Sequence, residues 1–203
     1  MNKRNYQREL DQIIGRAQEE GIRPKLLLHV CCAPCSSYCM EYLTKYFDIT
    51  LLFYNPNMDS AEEYDKRKDE LLRLIKEAGF PVKAVIRDYE PEVFYESVKG
   101  HESDPEGGER CFICYELRMR EAAEFAAEGG YDFFTTSLSI SPYKNAEKIN
   151  EIGERLAQKY GVRHLVSDFK KRDGYKRSIE LSEQYHLYRQ DYCGCVYSRR
   201  TTL

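Results

Sequence analysis

Residues 25–30 read KLLLHV, a nearly unbroken apolar run. Successive side chains of a strand point to opposite faces, so a strand apolar at almost every position must be covered on both sides. Further strand patterns follow at DITLLFYNPN (48–57), PVKAVIRDY (81–89), YDFFTTSLSI (131–140) and RHLVSDF (163–169). Between them run helical patterns. The opening segment sets Leu10, Ile13 and Ile14 on one side. Ser60 with Glu63 forms a capping box, closed by Gly79, and NAEKINEIGERLAQKYG ends on Gly161. Other helices are expected after CCAPC with Ser36 or Ser37 as cap, from near Pro91, over 111–127 and over about 178–188. Strand–helix alternation predicts an α/β fold, a parallel sheet with helices on both faces. No repeat, low-complexity tract or linker interrupts it, so residues 1–203 read as a single α/β domain.

In such sheets sites form beyond the carboxyl ends of the strands. The residues at that place after the first strand are Cys31, Cys32 and Cys35, with Cys39 four residues further on. Four more cysteines form two distant pairs, Cys111–Cys114 and Cys193–Cys195. Cys111 and Cys114 sit three apart at a helix start, sharing a face near the positive end of the helix dipole. Gly194 lets the second pair wrap closely around a bound centre. Adjacent thiols on an extended backbone point apart, so Cys31 and Cys32 are expected to serve two centres. With Cys39 read as a packing residue, seven thiols remain. Four are enough for a [4Fe–4S] cluster, leaving three, enough for one further metal ion with a position open. A closed structural zinc also takes four but leaves three thiols without an evident role, and Cys39 as an eighth ligand would allow two complete clusters.

Composition narrows the partners. The net charge of −3 creates no global basic field, so nucleic-acid contact needs a local patch. The candidate is KKRDGYKR, Lys170 to Arg177, with Arg199 and Arg200 beyond it and Lys144 near the mouth of the pocket. The charged N-terminus lacks the apolar core of a signal peptide, and no run approaches the ~20 residues of a membrane helix. The expectation is a cytoplasmic protein, where clustered cysteines favour metal or redox chemistry over structural disulfides.

With LLLHVCCAPCS, ERCFICYELRM, TTSLSISPYKN and DYCGCVYS in this order, the chain resembles the cobalamin-independent epoxyqueuosine reductase family, QueH, from about Lys25 to Ser198. Members of the family can carry a carboxylate where this chain has Cys35. The resemblance implies a HUP-type, adenine-nucleotide-hydrolase-like (Rossmann-like) fold. It also implies a [4Fe–4S] cluster with an adjacent mononuclear iron, and reduction of epoxyqueuosine to queuosine at the wobble position of a tRNA with a GUN anticodon. It implies an electron donor as a further partner. Carried onto this chain, the cofactor-binding set is Cys31, Cys111, Cys114 and Cys193, and the catalytic second metal falls to Cys32, Cys35 and Cys195. A competing division puts the cluster on Cys31, Cys32, Cys111 and Cys114 and leaves Cys193–Cys195 as a redox-active dithiol.

Candidates to protonate the departing oxygen are Tyr115, Tyr143, Tyr192 and His29, with Tyr192 foremost among the tyrosines and His29 more naturally a core residue. Two other functions compete. A tRNA thiolation or sulfur-transfer enzyme needs a glycine-rich phosphate loop after the first strand, and CCAPCSS has no such spacing. A non-enzymatic zinc- or iron–sulfur-binding RNA module would carry metal without turnover.

Overall fold

A computed structural model describes residues 4–199. Five parallel strands form one sheet: β1 (Lys25–Val30), β2 (Asp48–Phe53), β3 (Val82–Ile86), β4 (Phe133–Thr136) and β5 (Arg163–His164). Their order is β3-β2-β1-β4-β5, with Leu28 of β1 opposite Leu51 of β2 and Thr135 of β4. This is a Rossmann-like arrangement. The order reverses between β1 and β4, where the two following connections diverge and open a crevice.

Two cores flank the sheet, as the apolar run of β1 requires. Leu26, Leu28 and Val30 enter one core with Met40, Leu43, Leu71 and Leu74, residues of α2 (Ala33–Leu43) and α3 (Ala61–Ala78). Leu10 of α1 (Tyr6–Glu19) joins them. Leu27 enters the other core, with Met119, Ala122, Ala123, Ile149 and Ile152 from α5 (Glu109–Glu128) and α6 (Ala146–Tyr160). The short α4 (Pro91–Ser97) precedes α5, and α7 (Gly174–Gln184) packs beside α2.

Ser60 caps α3 by accepting from the Glu63 N–H at 3.2 Å, as its pattern predicts, and Gly79 ends that helix in the left-handed region. Other boundaries differ from expectation. Neither Ser36 nor Ser37 caps α2. Cys32 stands at the N-cap position and Ala33 is already helical, because Pro34 falls in the first turn, where its missing N–H needs no partner. Both serine hydroxyls instead donate back to backbone carbonyls, Ser36 to Cys32 and Ser37 to Pro34. The fourth strand stops at Thr136 and the chain turns through a 3₁₀ turn over Ser137–Ile140. The fifth strand is two residues long, and α7 begins at Gly174, four residues before the expected start.

Candidate metal centre

The strand order sends both relevant connections to the same edge. The β1–α2 turn carries Cys31 and Cys32, the first turn of α2 carries Cys35, and the β4–α6 connection carries Lys144. The buried His29 ties their bases together: its Nε2–H donates to the Tyr54 carbonyl at 3.0 Å, and its Nδ1 accepts from the Thr136 hydroxyl at 2.8 Å. Burial pushes this imidazole down to about 4, so it stays neutral and structural.

The Cys31, Cys32 and Cys35 sulfurs all lie within 4.8 Å of one another. Cys31 and Cys32 do not diverge as expected. Their sulfurs are 3.8 Å apart, because the backbone turns at Cys32 into the first turn of α2 instead of continuing as a strand. The spacing suits two thiolates on one tetrahedral ion, whose ~2.3 Å metal–sulfur bonds set sulfurs roughly 3.8 Å apart. The Cys32 and Cys35 thiols hydrogen-bond to the Cys31 sulfur and hold it well below the ordinary thiol range. The same bonds, with burial, push Cys32 up to about 12 and Cys35 well above its usual value.

The remaining pairs arrive from α5 and from the segment after α7. Cys111, Cys114, Cys193 and Cys195 line one narrow crevice. Cys193 also lines an adjoining cleft of about 140 Å³ together with Cys31 and Cys35. Seven of the eight cysteines, drawn from three distant segments, therefore converge at the carboxyl edge. Among the described residues only Cys31, Cys32 and Cys35 close to metal-binding distance as a group of three. All eight are free thiols, including Cys193 and Cys195. Cys39 stays out of the site. It is fully buried in the core beneath α2 and donates to the Cys35 carbonyl at 3.5 Å.

Two buried arginines and the half-buried Lys144 surround these sulfurs. Arg118 is 1% exposed, one turn after Cys114 on the same face of α5, and its Nη2 has no partner. Arg67 is equally buried; it pairs with Glu63 at 2.6 Å and donates to the Cys193 carbonyl at 3.1 Å, and its Nη2 is also unpartnered. Lys144 Nζ donates to the Cys193 sulfur at 3.0 Å. Burial raises the Cys193 thiol, but Lys144 and Arg118 outweigh it and leave it lowered. Gln190 Nε2 donates to the Cys32 sulfur at 3.0 Å and the Gly107 N–H to Cys111 at 3.2 Å. Buried cations with a single carboxylate among them need anionic partners. Clustered thiolates, or a metal–thiolate assembly, supply that charge, so the donor set fits a metal centre.

A family model described as epoxyqueuosine reductase QueH matches residues 26–201. The chain is 43% identical to an epoxyqueuosine reductase QueH from Streptococcus pyogenes serotype M1, over 97% of this chain and 78% of the relative. It is 44% identical to one from Staphylococcus epidermidis over 96% and 84%, and 35% identical to one from Thermotoga maritima over 85% and 89%. The chain belongs to the epoxyqueuosine reductase QueH family. The proteins of this name are oxidoreductases, which agrees with a thiol-lined, metal-compatible cleft.

Of the proton-donor candidates, Tyr143 and Tyr192 line the cleft, Tyr115 lines the crevice and His29 is enclosed in the sheet. The Tyr192 hydroxyl is committed to Asp59 Oδ1 at 3.0 Å, and burial together with that bond pushes it up to about 12. Sequence reasoning missed Arg118, Arg67 and Gln190. Arg118 alone left a signal, its spacing of four from Cys114 on a helix. In the basic run, Lys170 pairs with Asp168, Arg172 with Asp11, and Arg177 with Glu41 and Glu180. Arg200 lies outside the described residues. Among them, no helix is long and apolar enough to cross a membrane.

Proposed function

We propose that this chain reduces the epoxide of epoxyqueuosine to the alkene of queuosine at the wobble position of a GUN-anticodon tRNA. The observation that carries the reading is the convergence of Cys31, Cys32 and Cys35 with Cys193 beside an open cleft at the strand-order reversal. The conversion takes two electrons and two protons and releases water. Bound at these thiols, a [4Fe–4S] cluster supplies single electrons and a mononuclear iron supplies Lewis acidity.

The cluster ligands are Cys31, Cys111, Cys114 and Cys193, and Cys32, Cys35 and Cys195 hold the second ion. Support comes from Cys193, which shares one cavity wall with Cys31 and another with Cys111 and Cys114. The 3.8 Å between Cys31 and Cys32 favours a second division, in which Cys31 stays with Cys32 and Cys35 and the four thiols of the crevice take the cluster. The polypeptide contributes the rest. Arg67, Arg118 and Lys144 balance thiolate charge, Lys144 keeps a proton on Nζ within the cleft, and the Tyr143, Tyr175 and Tyr192 side chains line the way in.

The test is an anaerobic assay on tRNA bearing epoxyqueuosine, with a chemical reductant and nucleoside mass spectrometry. Loss of one oxygen atom is expected; its retention removes the substrate assignment. Cys32→Ala or Cys195→Ala should abolish reduction while much of the cluster absorbance persists, and full activity in either variant refutes the second-ion role. In the second division Cys31→Ala spares the cluster; in the first it does not. Colourless protein without labile sulfide points to a zinc RNA-binding module, and ATP binding to a thiolation enzyme.

A further inference from the structure

A second groove adjoins the cleft. Its walls are the start of α1, the connection that enters α6 and the loop carrying residues 168–172. Six basic side chains line it, Arg4, Arg8, Lys144, Lys170, Lys171 and Arg172, against the acids Asp11, Glu147 and Asp168. In a chain of net charge −3 this concentration is local. Internal pairing consumes part of it: Arg172 with Asp11, Lys170 with Asp168, Arg4 with Glu9 and Glu154, and Lys144, whose Nζ is turned to the Cys193 sulfur. Arg8 and Lys171 are exposed and carry no ion pair among the described residues. Asn5 and Asn145, the caps of α1 and α6, both line the groove, so two helix N-termini add partial positive charge to it. Lys144 lines both groove and cleft, so the two adjoin at this residue. Beside it, at the cleft, stands Tyr143, 70% exposed and the most exposed large apolar side chain among the described residues.

We infer that this groove holds the phosphate backbone of the RNA chain whose modified base enters the thiol-lined cleft, with Tyr143 stacking on a neighbouring base. The inference rests on the reading given under Proposed function and assigns the surface that serves it. Paired cations alone describe a solvated face. Unpaired Arg8 and Lys171, with the N-cap residues of two helices lining the same groove, describe a receptor for a polyanion. Adjacency to the cleft selects RNA over an acidic protein, since the base and its backbone must be held together.

Direct binding of a GUN-anticodon tRNA transcript by fluorescence anisotropy, over a series of KCl concentrations, tests this. The double variant Arg8→Ala/Lys171→Ala should bind at least about tenfold more weakly at low salt. Its slope of log affinity against log salt should fall by about one to two units, roughly one for each lost phosphate contact. Tyr143→Ala should weaken binding by about tenfold with the slope unchanged, and Tyr143→Phe should restore it. These exposed side chains leave the thermal transition where it is. Wild-type affinity and slope in the double variant overturn the groove while epoxide reduction by the unaltered enzyme stands. Loss of electron uptake from an acidic protein donor, with tRNA binding intact, overturns it in favour of that partner. An unaltered enzyme that neither binds nor reduces the tRNA overturns both readings.

Discussion

His164 is buried, with its ring against Phe134 and Nε2 donating to Asn150 Oδ1 at 3.3 Å. Burial pushes its imidazole down to about 4, against about 6.5 for the ordinary side chain. The unfolded chain therefore binds a proton at His164 that the folded one refuses. Stability is retained above pH 6.5 and lost as pH falls from there toward 4, by up to ~3 kcal/mol for this one group. Urea unfolding at intervals between pH 7 and 4 measures the loss, and His164→Phe should flatten the dependence in that window. An unchanged slope assigns it to other groups. The same ring explains Gly153: a Cβ there would lie 2.4 Å from His164 Nε2. Gly153→Ala should lower stability by about 1–3 kcal/mol, read as a fall in melting temperature. A variant as stable as the parent would mean the ring shifts freely. The glycine is visible in NAEKINEIGERL but unremarkable there; its partner comes from β5, and only packing reveals the contact.

Elements were most legible where their signals are local. Ser60, Glu63 and Gly79 bound α3 as written, and Ser60→Ala should cost about 1 kcal/mol in chemical unfolding, through a lost cap. A proline and two serines suggest a later beginning for α2 than Ala33, where the helix starts. A proline in the first turn is compatible with an earlier one, and that choice places Cys35 on the helix facing Cys31 and Cys32. The segment after α7 shows a different constraint. Gly194 has φ 112°, and a Cβ there would meet Met58 Sδ at 2.7 Å and an Arg67 guanidinium nitrogen at 3.1 Å. Gly194→Ala should displace Cys193 and Cys195 together, lowering iron content after reconstitution while the far-ultraviolet circular dichroism of the helices and sheet persists. Full iron loading in that variant would show that the loop does not need this backbone.

At the scale of the molecule, the thiols join three regions remote in sequence: the β1–α2 turn, the start of α5 and the segment following α7. That last segment is held to α3 and the turn before it by hydrogen bonds and ion pairs, Tyr192 and Arg199 on Asp59 among them, and, among the described residues, by no strand pairing. The Tyr188 N–H donates to Glu70 at 2.6 Å, Arg67 donates to the Cys193 carbonyl at 3.1 Å, and the Asp59 N–H donates to the Gly194 carbonyl at 2.9 Å. On the reading proposed above, a metal centre gripping all three regions would act as a cross-link that exists only in the folded state. Removing iron with a chelator under anaerobic conditions should lower the melting temperature. Amide exchange should rise first over residues 188–199, ahead of the sheet. Uniform exchange before and after chelation would place the metal away from this segment.

The apolar runs and helical periods fixed the parallel sheet and its two covered faces, because each side chain's direction follows from position along its own strand or helix. The same local logic put the β1 cysteines at the carboxyl edge. Which sulfurs approach one another, and that Arg67, Arg118 and Lys144 stand among them, was decided by tertiary structure. Strand order and the path after α7 bring together residues more than a hundred positions apart. No local periodicity records that meeting, and the 3.8 Å between Cys31 and Cys32 shows that even immediate neighbours take their final direction from the turn around them.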